Sequence, residues 1–221
     1  MSATSHAHHD EAGQAPLVGS LGVDSRKLGL WAFIGSETLF FTALITTHLI
    51  FYARTKAQLT ASGMLAHMDP KHFLGINLTS VLAAILLASS LTMVLALAAS
   101  KAKEWAKFRF WLLATIILGS SFVLGQAYEF SHLYAEGLKL APQFVYEGET
   151  VKSLFGVTFF TMTGFHGLHV TLGVIWLIAV YFKVRKFSAS PENPMDVELV
   201  GLYWHFVDLV WVAIFTLIYL I

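Results

Sequence analysis

Long apolar runs alternate with short charged segments along most of this chain. A helix needs about 20 predominantly apolar residues to cross a bilayer. Five runs have that length, and they cover about residues 28–53, 72–100, 108–134, 154–182 and 199–221. The runs show neither the alternation of a β-barrel nor an internal repeat. The pattern therefore predicts an all-α membrane protein in which residues 28–221 form a bundle of five transmembrane helices.

Polar residues fill the segment that precedes the first apolar run. Residues 1–27 lack the basic region followed by an apolar region that defines a signal peptide, so we expect a soluble N-terminal tail. His6, His8 and His9 lie in this tail. We interpret them as part of a disordered segment rather than as a metal site.

The basic residues are divided unequally between the two ends of the predicted bundle. Nine of the 14 lie before the first run or in the second and fourth connections: Arg26, Lys27, Lys101, Lys103, Lys107, Arg109, Lys183, Arg185 and Lys186. The first and third connections hold the other five, which are Arg54, Lys56, Lys71, Lys139 and Lys152. Short cytoplasmic loops carry the excess of Lys and Arg. We therefore predict a cytoplasmic N-terminus and a C-terminus on the outside.

The composition supports a membrane protein and excludes several kinds of site. Hydrophobic residues make up 56% of the chain and charged residues 13%, whereas soluble domains have about 25% charged residues. Basic and acidic residues both number 14, so nothing indicates a nucleic-acid partner. The chain has no cysteine, which excludes disulfides, thiolate metal ligands and cysteine nucleophiles.

Two histidines lie near the middle of the fourth run, at a depth where ionisable groups are costly and usually face other helices. His166 and His169 are three residues apart and share a helix face. Gly164 and Gly167 lie on roughly the opposite face, which can therefore approach a neighbour closely. Since both faces favour protein partners, we expect this run to be a central helix of an assembly.

The ionisable residues within the runs fall at two depths when the rise of a helix is counted from its predicted inner end. We predict an inner polar layer of Glu37, His166, His169, His205 and Asp208, and an outer layer of His48, Glu129 and His132. These residues are candidates for buried polar contacts, proton transfer or contacts between subunits. Together they do not form a recognisable catalytic site.

Histidines near a carboxylate are also the ligands that iron, copper and zinc use, so a metal or haem site is one hypothesis. Against it, His205 and Asp208 are three residues apart and could bond each other. The spacing of the histidines imposes no haem geometry. Hydrogen bonding between helices is therefore the favoured interpretation.

Glu37 is the strongest single signal, because no basic residue lies between Lys27 and Arg54 to neutralise it. A carboxyl group at that depth should be protonated unless a histidine pairs with it. Both a proton relay and a hydrogen bond to a partner helix remain open at this point.

Four separated segments, in this order, resemble subunit III of the haem-copper respiratory oxidases. They are residues 36–41 (SETLFF), 125–129 (GQAYE), 163–170 (TGFHGLHV) and 203–211 (YWHFVDLVW). Four motifs in order are far more specific than any one of them. The likeness covers about residues 26–221 and matches the short form of the family, which has five helices and lacks the first helix pair of the longer form.

The resemblance implies an accessory subunit of a proton-pumping terminal oxidase in a prokaryotic plasma (inner) membrane. The haem and copper then belong to partner subunits, and this chain holds no catalytic, cofactor-binding or metal-binding residue. Oxidase subunits I and II and membrane lipids are the implied partners, with bound phospholipid allowed. Glu37 matches the family's buried carboxylate, and His205 with Asp208 match its last-helix motif. The family's lipid cleft is in question, because the missing helix pair forms one of its walls.

The implied role is to stabilise the catalytic subunit and to support proton uptake and access of oxygen and lipid. The forms of the first and third motifs resemble the cytochrome c branch of the family more than the quinol branch. We therefore expect cytochrome c as the electron donor, with a quinol oxidase as the alternative. Two other classes remain open, namely an independent small transporter and a membrane cytochrome.

Overall fold

Five long helices make up most of the computed structural model, which describes residues 24–61, 63, 74–146, 149–186 and 195–220. Most of the predicted N-terminal tail, residues 1–23, therefore lies outside the described residues. The helices are α1 (Ser25–Ala61), α2 (Ile76–Lys101), α3 (Trp105–Ala135), α4 (Phe155–Lys186) and α5 (Met195–Ile214), and α5 continues as a π-helical segment, Phe215–Leu220. Within the described residues, five helices are long and apolar enough to cross a membrane, so the predicted fold class is confirmed.

Helix α1 begins where Asp24 caps it. The Asp24 carboxylate accepts a hydrogen bond from the backbone N–H of Arg26 at 2.8 Å, which satisfies a donor that has no partner within the helix. The Arg26 side chain also donates to this carboxylate and holds the pKa of Asp24 below its ordinary value. The polar residues just before the apolar run thus start the helix.

Helix α1 is also longer than the apolar run that predicts it. Its 37 residues extend over roughly 55 Å, whereas the hydrocarbon core of a bilayer is about 30 Å thick. Beyond residue 53 the helix continues for two turns that contain Lys, Ala, Gln and Leu, which are good helix formers. Because several of these residues are polar, the apolar pattern could not indicate that extension.

An antiparallel hairpin lies in the connection between α3 and α4, where the sequence predicts only a loop. Strands β1 (Gln143–Tyr146) and β2 (Glu149–Lys152) pair so that Gln143 faces Lys152. Aromatic and β-branched residues favour this pairing, although four residues are too few to predict a strand. The hairpin places Lys152 just before the start of α4.

Helix α5 lies at the centre of the bundle and contacts α1, α2 and α4. Helix α4 contacts α1, α3 and α5, while α2 and α3 form a tight hairpin. Within the apolar segment of α5, 56% of the residues are buried by the chain itself, compared with 33% in α4 and 6% in α1. Within this chain the central helix is therefore α5 rather than α4, because α5 carries the large apolar side chains that fill the bundle.

Two glycines allow three helices to meet around Trp204. A Cβ atom added at Gly119 of α3 would lie 2.5 Å from the Trp204 ring, and one added at Gly173 of α4 would lie 2.9 Å from it. Trp204 and Trp211 are each 1% exposed, so both serve helix packing. The missing side chains at the two glycines thus make room for the indole ring of Trp204.

Ion pairs join four helices at the end of the bundle where α5 begins. Asp196 and Glu198 lie in the first turn of α5, where negative charge interacts favourably with the helix dipole. Lys27 of α1 and Lys101 of α2 both pair with Glu198, at 3.4 and 3.5 Å, and Lys183 of α4 pairs with Asp196. These groups are partly exposed, so each pair contributes only about 0–1 kcal/mol. Together they identify the ends of α1, α2, α4 and α5 that lie on one side of the bundle.

Candidate functional site

Glu37 of α1 finds its partner on α4. The distance between Glu37 Oε2 and His169 Nε2 is 3.3 Å, and the two side chains are 20% and 12% exposed. Aromatic rings surround the contact: Phe41 lies edge-on to His169 at 5.2 Å, and Phe40 lies edge-on to Phe165 at 5.1 Å. A carboxyl group that has no partner in its own helix is therefore paired across the α1–α4 interface.

The second ring nitrogen of His169 restricts the protons in this pair. His169 Nδ1 lies 2.7 Å from the carbonyl oxygen of Phe165, which can only accept a hydrogen bond, so Nδ1 carries a proton. One further proton is then shared between His169 Nε2 and Glu37 Oε2, either as an ion pair or as a neutral pair. Both forms have no net charge, which suits a site at membrane depth.

His166 lies one turn from His169 but points into a different interface, in the core between α3, α4 and α5. It is fully buried, and its Nε2 donates to the carbonyl oxygen of Val207 at 3.2 Å. Its ring stacks on Trp211 at 4.9 Å and meets the edge of Phe122 at 5.7 Å. Nδ1 has no hydrogen-bond partner among the described residues. His166 therefore serves helix packing rather than extending the Glu37–His169 pair.

His205 and Asp208 of α5 meet a serine of α2. The distance between His205 Nδ1 and Ser90 Oγ is 2.7 Å, and Asp208 lies close to the same hydroxyl group. Asp208 is 7% exposed, and its Oδ1 has no hydrogen-bond partner in the described part of the chain. The expected direct bond between His205 and Asp208 is thus replaced by a shared contact with Ser90, since this face of α5 packs against α2.

His48 occupies the α1–α4 interface farther along α1 than Glu37. Its Nδ1 lies 2.9 Å from Thr158 Oγ1, and its ring contacts Phe155 at 5.1 Å. The imidazole is 2% exposed. Glu37 and His48 are eleven residues apart, which is about 20° around a helix, so they share a face of α1, and both bond to α4.

Glu129 of α3 lies in a buried cluster with residues of α2 and the π-helical segment. Its Oε1 is 2.7 Å from Thr79 Oγ1 and 3.1 Å from the hydroxyl of Tyr219. The hydroxyls of Thr79 and Tyr219 both donate to Glu129 Oε1, and the Thr79 hydroxyl is also within reach of the Gly75 carbonyl oxygen, at 3.0 Å. The π-helical turn thus places Tyr219 where it completes the hydrogen-bonded cluster.

His132 differs from the other candidates because its side chain is 58% exposed. Its Nδ1 lies 3.5 Å from Glu136, one turn later on the same surface, and its ring approaches Tyr128. His132 and Glu129, which the sequence places in one layer, therefore have different environments.

The eight candidates do not converge on a single centre. Only Glu37 and His169 contact each other across helices, while His205 shares Ser90 with Asp208. Across the described ranges, no three His, Asp or Glu side chains come together in a group that could hold a metal ion. The arrangement consists of separate polar contacts, each of which joins two or three helices.

Several residues that are not among the eight candidates complete these contacts. Gln126 donates through Nε2 to the carbonyl oxygen of Thr163 at 3.0 Å, and its Oε1 lies beside Gly167. Ser90 and Tyr219 supply the partners of His205 and Glu129. Gln126 could have been identified, because it lies three residues before Glu129 on the same helix face.

Comparison with known proteins identifies the family of the chain. Residues 12–221 match the family described as Cytochrome c oxidase subunit III. This chain belongs to the cytochrome c oxidase subunit III family. The motifs around Glu37, Glu129, His169 and Asp208 are thus parts of a subunit III bundle, and each supplies one of its interhelical polar contacts.

Individual members of the subunit III family are similar to the chain over nearly its whole length. The cytochrome c oxidase subunit 3 of Alkalihalophilus pseudofirmus is 33% identical over 89% of this chain and 86% of that protein. The quinol oxidase subunit 3 of Bacillus spizizenii is 31% identical over 97% of this chain and 96% of its own length. The cytochrome c oxidase subunit 3 of Corynebacterium diphtheriae is 31% identical over 88% and 87%, respectively. This subunit III is therefore part of a terminal oxidase complex, and the relatives include both donor classes.

Proposed function

We propose that this subunit III is a non-redox accessory subunit of a proton-pumping oxidase that reduces oxygen to water in a bacterial plasma membrane. The haem and copper centres belong to subunits I and II, with which it assembles. It stabilises the catalytic subunit and supports proton uptake and the access of oxygen and lipid. The observation that carries the proposal is the match to subunit III over residues 12–221.

The geometry of the histidines supports a non-redox role. His166, His169 and His205 each bond a group of this chain, namely the carbonyl oxygen of Val207, Glu37 and Ser90. They lie at three different helix interfaces, so they do not provide a common set of ligands. Their contacts instead hold the bundle together, which suits a subunit that supports a neighbouring catalytic centre.

An apolar groove supports the proposed access of lipid or oxygen. It lies between α3 and α4, has a volume of ≈ 800 Å³ and is lined by Phe130, Phe160 and Phe165, with Gly164 at its base. No atom lies within 4 Å of a Cβ built at Gly164, so the groove is open above this residue. A small apolar molecule or an acyl chain fits such a surface at membrane depth.

The Glu37–His169 pair supports a contribution to proton uptake. One proton is shared between the two side chains, and both are partly accessible at the surface of the bundle. The proton can pass from one side chain to the other with no change in net charge, and the pair stays neutral during uptake only if one proton leaves as another enters. We propose that it assists proton delivery to the catalytic subunit, which conducts the main proton flux.

We propose cytochrome c as the electron donor of the complex, on the basis of the sequences of residues 36–41 and 163–170. A quinol is the second candidate, because a quinol oxidase subunit 3 is 31% identical over 97% of the chain. Oxygen consumption by the complex, supplied in turn with reduced cytochrome c and with a short-chain quinol, separates the two. Turnover with quinol and none with cytochrome c would reject the first choice.

Purification from native membranes tests the accessory role. A tag on this chain should isolate a complex with a larger haem-containing subunit and an oxidase absorption spectrum, whereas the separated chain should be colourless. A strain that lacks the chain should keep the haem subunit but lose stable turnover. Isolation of the chain alone in mild detergent, with no oxidase spectrum, would favour an independent transporter. A haem band in the separated chain would favour a membrane cytochrome.

A further inference from the structure

Basic side chains pair with carboxylates of this chain at one end of the bundle, whereas two basic side chains at the other end do not. At the end where α5 begins, Lys27, Lys101 and Lys183 pair with carboxylates of the same chain. At the opposite end, Arg54 and Lys152 have no carboxylate within ion-pair distance among the described side chains, which do not include those of residues 144–149. Their positive charge is therefore available to an external anion.

Arg54 and Lys152 line the same pocket. It lies between the last turns of α1 and the segment that leads into α4, and it has a volume of ≈ 290 Å³. One water occupies about 30 Å³ of the liquid, so the pocket has room for a partly hydrated phosphate group. Gln58 adds an amide to the lining, while Phe51 and Leu154 form its apolar part. The Arg54 guanidinium lies 5.5 Å from the centre of the Phe51 ring.

Buried hydrogen bonds fix the wall of this pocket. Thr55 Oγ1 and Ser153 Oγ are 2.6 Å apart, and the two residues are 2% and 8% exposed. Ser153 Oγ also accepts the backbone N–H of Phe155 at 3.0 Å and so caps the start of α4. The two basic residues are thus attached to a wall that is held by buried hydrogen bonds, and the α4 dipole adds to the positive potential.

The depth of the pocket identifies the class of anion. Arg54 directly follows the apolar run that ends at residue 53, and Lys152 lies three residues before α4 enters the bundle. The pocket is therefore at the level where the hydrocarbon core ends and lipid phosphates begin. Its apolar residues, Phe51 and Leu154, suit the part of a lipid next to the phosphate, whereas a soluble anion would gain nothing from them.

We propose that the pocket formed by Arg54, Lys152 and Gln58 binds the phosphate group of an anionic phospholipid in the membrane leaflet at that end of the bundle. The site is distinct from the groove between α3 and α4, and it does not depend on the electron donor. The bound lipid holds the end of α1 against the start of α4.

Lipid retention by the full chain, purified with any subunits that accompany it, tests the proposal. The protein is incubated with a mixture of phosphatidylglycerol and phosphatidylcholine, washed in mild detergent and analysed by native and lipid mass spectrometry. Each basic residue near an anionic lipid contributes about fivefold to binding. The Arg54→Gln/Lys152→Gln variant should therefore retain at least about tenfold less phosphatidylglycerol.

A matched control is available at the same end of the bundle. Lys56 and Lys139 are exposed, and neither lines the pocket. The Lys56→Gln/Lys139→Gln variant changes the charge of the chain by the same amount and should retain phosphatidylglycerol like the parent. Equal retention in the two double variants would overturn the proposal.

Two further results would identify a different occupant and so overturn the assignment to lipid. Inorganic phosphate, titrated against delipidated protein, should bind weakly and without dependence on Arg54. Sub-millimolar binding that the Arg54→Gln/Lys152→Gln variant abolishes would assign a soluble anion. Loss of an accompanying subunit from that variant, with phosphatidylglycerol retention unchanged, would assign a carboxylate of a partner protein.

Discussion

At the residue scale, the partner across the interface determines what each polar side chain does. Glu37 has no basic neighbour along its own run, yet His169 lies 3.3 Å away on α4. The sequence therefore indicated correctly that Glu37 is special, but it could not name the partner. A carboxyl group that is neutralised by a histidine can remain at membrane depth without being a simple protonated acid.

Substitutions at Glu37 distinguish a structural contact from an obligatory proton relay. Glu37→Gln should assemble normally, because the amide can donate to His169 Nε2. Its turnover should fall less than about fivefold, a barrier change of roughly 1 kcal/mol. Glu37→Ala should lower the free energy of unfolding by about 1–3 kcal/mol, because it leaves the imidazole without this partner. Denaturation in detergent and oxygen consumption measure the two effects.

His169 supplies the control for that series. If the contact is direct, Glu37→Ala and His169→Ala should be less than additive, since the second substitution removes a contact that the first has already broken. Independent effects of the two substitutions would contradict the pairing. A fully assembled Glu37→Gln variant that has lost proton pumping would instead identify an obligatory relay.

The Glu129 cluster gives a second prediction at this scale. Tyr219→Phe removes one buried hydrogen bond to Glu129 and should lower the free energy of unfolding by about 1 kcal/mol. Glu129→Ala should cost more, about 1–3 kcal/mol, because it leaves both Thr79 and Tyr219 without this partner. Thr42→Val is the matched control, since the Thr42 hydroxyl bonds only the Thr38 carbonyl oxygen of its own exposed turn. A Tyr219→Phe variant as stable as this control would refute the role of the cluster.

At the element scale, the length of an apolar run predicts a helix well, but it does not predict the neighbours of that helix. The two glycines on the expected close-packing face of α4 show why. Gly167 contacts Gln126 of α3, whereas Gly164 has nothing within 4 Å of a built Cβ. The closest approaches occur instead at Gly119 and Gly173, where the rotation of each helix points the glycine at Trp204.

Alanine at Gly119 tests this packing. The new methyl group would lie 2.5 Å from a tryptophan ring that is 1% exposed, so the buried ring would have to shift. Gly119→Ala should therefore lower the free energy of unfolding by about 1–3 kcal/mol. Gly35→Ala on α1 is the matched control, because nothing lies within 4 Å of that position. It should be neutral or stabilise the helix by roughly 0.5–1 kcal/mol. Similar melting temperatures for the two variants would contradict the predicted packing around Trp204.

At the scale of the whole molecule, the number and order of the helices were predictable, but the polar contacts were not. The five apolar runs are sufficient to predict the number and order of the helices, because the length of an apolar run decides whether a helix can cross a bilayer. The contacts depend on how each helix is rotated, and one residue changes the direction of a side chain by about 100°. His205 therefore meets Ser90 on α2 although Asp208 lies one turn away on its own helix. The contact of Tyr219 with Glu129 could not be predicted for the same reason, since Tyr219 reaches Glu129 through the π-helical end of α5.

The orientation of the bundle in the membrane is a final prediction, and the structure shows which helix ends lie on the same side. Ion pairs gather the start of α1, the end of α2 and the start of α5 at one end, and nine of the 14 basic residues belong to that end. Since the cytoplasmic side carries the excess of Lys and Arg, that end should face the cytoplasm. The chain has no cysteine, so single cysteines report topology without a background.

Lys103→Cys lies in the exposed turn between α2 and α3, and Lys139→Cys lies at the opposite end. An impermeant thiol reagent added to intact cells should label Lys139→Cys alone, whereas inverted membrane vesicles should label Lys103→Cys alone. Permeabilised cells, in which both variants should react, control for the accessibility of the thiols. The reverse pattern would place the N-terminus outside, and the pocket of Arg54 and Lys152 would then face the inner leaflet; the retention experiment would not change, because it supplies the lipid to purified protein.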